Sequence, residues 1–124
     1  MSTRFDHRRR YIDGWHRMDG EMLLSATSRD FIFDDPAEHT PVTQQELIGY
    51  MHRWERRTRA LGSTNRWNLE NEVRIDENGI LTDWEWWELV GTDLCGMAFV
   101  KTSDAGVLVE KITYFDRKHR HANR

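Results

Sequence analysis

The first half of the chain spaces its apolar residues at helical intervals, and the second half alternates them every second residue. Residues 3 to 18 predict a helix, with Phe5, Tyr11, Ile12, Trp15 and Met18 on one face. Asp19-Gly20 interrupts it, and Asp19 is placed to cap a short second helix carrying Met22, Leu23, Leu24 and Ala26. Residues 31 to 35 read as a strand with Phe31, Phe33 and Asp35 on one side and Ile32 and Asp34 on the other. Pro36 ends it, and a loop holding Pro41 runs to Val42. Thr43-Gln44-Gln45-Glu46 is a capping box that opens a third helix, whose buried face is read as Leu47, Met51, Trp54, Thr58 and Leu61 and whose stop is Gly62. Segments 66–75, 80–90, 94–102 and 107–116 read as strands joined by short turns at Glu77-Asn78-Gly79, Gly91-Thr92-Asp93 and Ser103-Asp104-Ala105-Gly106.

Helices first and strands afterwards predict an α+β domain. Three N-terminal helices would pack on a strongly curved, mainly antiparallel sheet, forming a cone with an internal pocket. One domain spans residues 1–124, with a core at about 5–116 and a basic tail at 117–124.

Charge narrows the partners. Eighteen basic side chains stand against 21 acidic ones, so no excess of positive charge argues for nucleic acid. The run Arg8-Arg9-Arg10 and the tail read as solvated charge. No apolar run reaches the roughly 20 residues of a membrane span, and no secretory leader follows the basic N-terminus. With Cys95 the sole cysteine, a cytoplasmic location is expected. No His/Cys spacing suggests a metal site, and no cofactor motif is found.

The segment LTDWEWWEL carries the strongest pattern. One phase turns Leu81, Asp83, Glu85, Trp87 and Leu89 inward, placing two carboxylates in the pocket with Lys111 of the last strand to neutralise one. The opposite phase lines the pocket with Trp84 and Trp86 and leaves the acids in solvent. With the first phase, Trp84, Trp86, Phe99, Ile112 and Tyr114 cover the outer sheet face, an aromatic surface that predicts a homodimer built back to back.

The order of elements, with FIFDDP after the second helix and VLVEKITYFDR at the end, resembles the SnoaL-like and ketosteroid-isomerase-like members of the nuclear transport factor 2-like superfamily. The resemblance implies a pocket tyrosine at Tyr11, eight residues before Asp19, and a catalytic base at Asp35 of Asp34-Asp35-Pro36. It places a further pocket position on His52 and a fourth-strand oxyanion donor on Ala98, which has no proton to donate. The last strand is similar to that of limonene epoxide hydrolases, whose catalytic aspartate falls on Thr113.

Together these readings give Asp35, Tyr11 and His52 as candidate catalytic residues. Trp15, Phe31, Phe33, Met51, Asp83, Glu85, Trp87, Ala98, Lys111 and Thr113 are the candidate pocket residues. The expected ligand is a small apolar metabolite with a carbonyl or hydroxyl group. The expected chemistry is cofactor-free proton transfer, namely isomerisation, dehydration or cyclisation. A non-catalytic binding or dimerisation module is the second reading, and water addition to an epoxide through Asp83 or Glu85 the third.

Overall fold

The computed structural model describes residues 2–116; the basic tail at 117–124 lies outside them. Helix α1 (Arg4–Arg17) starts at a capping box between Thr3 and Asp6 and stops where Met18 turns left-handed. Asp19 caps α2 (Gly20–Ala26) by accepting from the Met22 N–H at 3.1 Å. Strand β1 (Thr27–Asp34) begins four residues before the predicted start. A two-residue strand β2 (Val42–Thr43) pairs back on it within the segment read as loop end and capping box. The box itself forms, and it opens a 3₁₀ turn (Gln44–Glu46) that leads into α3 (Leu47–Ala60).

Four strands follow: β3 (Trp67–Glu77), β4 (Ile80–Leu89), β5 (Leu94–Ser103) and β6 (Gly106–Ile112). Each pairs antiparallel with the next, β1 joins β6 in parallel, and the sheet order is β2-β1-β6-β5-β4-β3. A short strand β7 (Phe115–Asp116) continues along β5 after Thr113 and Tyr114. The fold is thus α+β, with a curved, unclosed sheet covered by three helices. No helix among the described residues is long and apolar enough to cross a membrane.

On the helices, burial departs from the predicted faces at several positions, three of which have a plain cause. Phe5 is exposed beneath the Arg4 guanidinium, because α1 has run past the edge of the core at that end. Arg8, read as solvated charge, is 4% exposed, since it shares a face with Tyr11 and Trp15. Leu61 is exposed, because α3 ends at Ala60 and the chain turns away through Gly62, whose φ is +99°.

On β4 the first phase holds. Leu81, Asp83, Glu85, Trp87 and Leu89 are all buried, while Trp84 is exposed. Trp86 faces outward as expected but is covered, because Phe115 stacks on it at 5.9 Å.

The last strand departs from expectation by one residue. Thr102 pairs with Val107 but Lys101 pairs with Val109, so Leu108 is an extra residue in β6. Beyond this bulge every side chain changes face. Lys111 and Thr113 are exposed, whereas Ile112 is buried and Tyr114 turns inward. Neither Ile112 nor Tyr114 therefore belongs to the outer face.

Opposite Tyr114 stands Gly96, and a Cβ there would run into the carbonyl oxygen of Thr113 and press on the Trp87 ring. Gly96→Ala is expected to cost about 1–3 kcal/mol by overpacking and to displace Tyr114. Urea unfolding measures it, and unchanged stability would refute the close approach.

Candidate functional site

Between α1, α3 and the inner sheet face lies one cavity of about 560 Å³, counted out through its open mouth. Its wall is mainly aromatic: Tyr11 and Trp15 from α1, Phe33 from β1, Tyr50 and Trp54 from α3, Trp67 and Trp87 from β3 and β4. Ile12, Leu69, Ala98 and Ile112 add aliphatic surface, and Arg8, His16, Glu85 and Glu110 add polar groups. A concave apolar site with a few converging polar groups is the usual form of a small-molecule pocket.

Two polar clusters border it. In the first, the Tyr11 hydroxyl donates to Glu110 Oε1 at 2.7 Å. Beside them Arg8 donates from Nε to Asp83 Oδ2 at 3.3 Å and from Nη2 to Glu85 Oε1. Asp83 also accepts from Arg74 Nε at 2.6 Å and from the Asn71 amide at 2.9 Å. The buried carboxylates of β4 thus find their counter-charge on α1 and β3, and not at Lys111.

In the second cluster Asp35 sits just past β1, 1% exposed. Tyr50 donates to its Oδ2 at 2.6 Å, Tyr114 donates to both oxygens at 2.9 and 3.0 Å, and the Ala37 N–H donates at 2.8 Å. Arg57 lies 3.9 Å away. Asp35 does not line the cavity; Tyr50 does, and links the two.

Burial shifts several of these groups. It raises the Glu110 carboxyl above the usual carboxylate range, against the opposing effects of Arg8 and the Tyr11 hydrogen bond. The Tyr11 hydroxyl is pushed up by burial and by the Glu110 charge. Tyr50 and Tyr114 are pushed up by burial and by Asp35, so all three hydroxyls keep their protons at neutral pH.

Of the sequence-derived candidates, Tyr11, Trp15, Phe33, Glu85, Trp87 and Ala98 reach the cavity wall. Phe31, Met51 and Asp83 are buried in the layer behind it. His52 is exposed, since it lies one position beyond Met51 and about 100° further round α3. Lys111 and Thr113 point outward because of the bulge in β6. Asp35 and Tyr11 are in separate clusters.

Sequence reasoning missed Arg8, Tyr50 and Glu110 as site residues. Tyr50 was accessible to it: Leu47, Tyr50, Met51 and Trp54 follow helical spacing. Arg8 shares its spacing with Tyr11 and Trp15, but the run of three arginines hid it. Glu110 had no such signal, because its facing depends on the bulge.

No family model matches the chain, and no curated protein matches it. Among solved structures it is similar to a candidate SnoaL-like polyketide cyclase from Shewanella denitrificans OS-217. That match has 12% identity and a TM-score of 0.67, and covers 98% of each chain. It is also similar to a nuclear transport factor 2-like protein of unknown function from Burkholderia pseudomallei K96243, at 11% identity and TM-score 0.66, over 98% of this chain and 97% of that one. A candidate ketosteroid isomerase from Kribbella flavida DSM 17836 matches at 14% identity and TM-score 0.60, over 89% of this chain and 76% of that one. At such identities these likenesses establish the fold.

The raised Glu110 carboxyl has a consequence for stability. The folded chain holds this proton to higher pH than the unfolded chain, so stability falls as pH rises from the ordinary glutamate range to the folded value. Glu110→Gln removes that part of the fall while keeping an acceptor for Tyr11. Thermal unfolding between about pH 4 and 8 is expected to show a flatter profile for the variant; coincident profiles would contradict the shift.

Proposed function

We propose that this chain, a domain of the nuclear transport factor 2-like fold, encloses a small and largely apolar molecule bearing a carbonyl or hydroxyl group. With its own side chains it moves a proton on that molecule. The observation that carries the reading is the Tyr11–Glu110 pair at the wall of an aromatic cavity. As carboxylate, Glu110 takes a proton from carbon next to the carbonyl; as carboxylic acid, it returns that proton to another carbon or to a leaving hydroxyl. A carboxyl held above its usual range is a stronger base and a usable acid near neutral pH. Tyr11 orients it. The names of the candidate polyketide cyclase and candidate ketosteroid isomerase among the similar structures accord with this class of reaction.

Asp35 has a different part in this reading from the general base first expected. With Tyr50, Tyr114 and the Ala37 N–H all donating to it, it is a satisfied anion that fixes the Tyr50 hydroxyl at the cavity wall. Water addition through Asp83 or Glu85 has no such support, since both are engaged by Arg8. That same engagement favours the second reading, binding without chemistry, because an ion-pair network of this kind needs no catalytic purpose.

Exchange of protons into deuterated water separates the two. Ketones that quench the emission of the cavity tryptophans are expected to exchange the protons beside the carbonyl. Glu110→Gln is expected to lower that rate by about 10²–10⁴, and Asp35→Asn by less. Full exchange in Glu110→Gln would remove Glu110 from the role; binding without any exchange would support the non-catalytic reading.

We also propose a homodimer through the outer sheet face. Its apolar surface is Trp84 with Phe99, rings 4.6 Å apart, and the neighbouring Val73 and Ile75 of β3. Sedimentation is expected to show a dimer that Trp84→Glu converts to monomer; a wild-type monomer at tens of micromolar would refute it.

A further inference from the structure

An arginine in a ligand cavity ordinarily marks the seat of a carboxylate or phosphate. Here its charge is already matched. Arg8 bonds both Asp83 and Glu85, and Asp83 is bonded again by Arg74. Two cations therefore stand against two anions. The second cluster has the same balance: Asp35 and Glu38 face Arg57 and Arg53, with Arg57 3.9 Å from Asp35 and 3.6 Å from Glu38, and Arg53 2.6 Å from Glu38. His16 lies at the mouth and is exposed to water. The remaining ionisable group of the wall is Glu110, whose hydrogen-bond partner is the neutral Tyr11. Among the described residues the wall thus has no surplus positive charge, and it is one charge negative whenever Glu110 is ionised.

We infer that the cavity is selective by charge: its occupant bears no anionic group, and the carboxylate analogue of a bound ketone is rejected. The inference rests on the reading of the cavity as a ligand site. An anion entering it would leave water without gaining a counter-ion, and would lie against Glu85 and Glu110. Such desolvation costs several kcal/mol when uncompensated. A neutral carbonyl pays no such cost. The raised Glu110 carboxyl agrees with this, since burial disfavours its negative charge despite the opposing effect of Arg8.

Matched pairs of acetyl and carboxylate derivatives of benzene, naphthalene and anthracene test the inference by equilibrium dialysis against the full chain near neutral pH. The acetyl member is expected to bind and its carboxylate to bind at least about tenfold more weakly. Glu85→Gln removes one of the two anions facing Arg8. It is expected to raise the carboxylate-to-ketone affinity ratio by about tenfold, and Glu110→Gln to raise it in the same direction. A loss of packing would weaken both ligands and leave the ratio alone, so the ratio isolates charge. Carboxylates that bind as tightly as the ketones, or a ratio unmoved in both variants, would overturn the inference while leaving the ligand cavity intact. If no pair binds at all, the ligand-site reading fails and charge selection falls with it.

Discussion

A single extra residue in β6 governs the chemistry of the cavity. The insertion of Leu108 between two registers turns Glu110, Ile112 and Tyr114 toward the helices and Lys111 and Thr113 toward solvent. Without it alternation would put Lys111 on the inner face in place of Glu110. With it, Glu110 meets Tyr11, and Tyr114 closes on Asp35. Both polar clusters therefore draw a residue, Glu110 or Tyr114, from beyond one irregularity in hydrogen-bond pairing.

That irregularity also marks the boundary of what could be read from the residues. The alternation through Leu81, Asp83, Glu85, Trp87 and Leu89 is uninterrupted, so period two divided β4 into two faces and left open which turns inward; the structure buries the set with the two acids. The FIFDDP segment likewise brought Asp35 to the inner side with Phe31 and Phe33, and all three are buried. A bulge leaves no comparable trace. Val107-Leu108-Val109 looks apolar and continuous in either register, so plain alternation puts Lys111 inward and Ile112 and Tyr114 outward. His52 failed for another reason. Its place came from alignment of a motif across a loop, whereas helical geometry alone puts Tyr50, not His52, beside Met51 and Trp54 on the buried face.

The cost of the first cluster explains its form. Asp83 has no exposed surface and Glu85 very little, and an unpaired carboxylate in such a place would be untenable. Arg8 and Arg74 approach Asp83 from opposite elements, α1 and β3, so the charge is satisfied only when helix and sheet have docked. Stability, in this sense, is spent on arranging the wall rather than gained from it. The aromatic side supplies the compensating burial: Trp54, Trp67, Trp87 and Tyr114 pack ring to ring at 5.6–6.3 Å.

Strand β3 forms one margin of the unclosed sheet, and one of its two backbone edges has no strand partner among the described residues. Its eleven residues include Glu70, Glu72, Arg74, Asp76 and Glu77, four acids and one base. A parallel, in-register copy of the same strand would set each of these four acids against its own counterpart. The margin that keeps one flank of the cavity open thereby discourages edge-to-edge growth of the sheet into ribbons and fibres, and the protein can expose a long extended segment without propagating it.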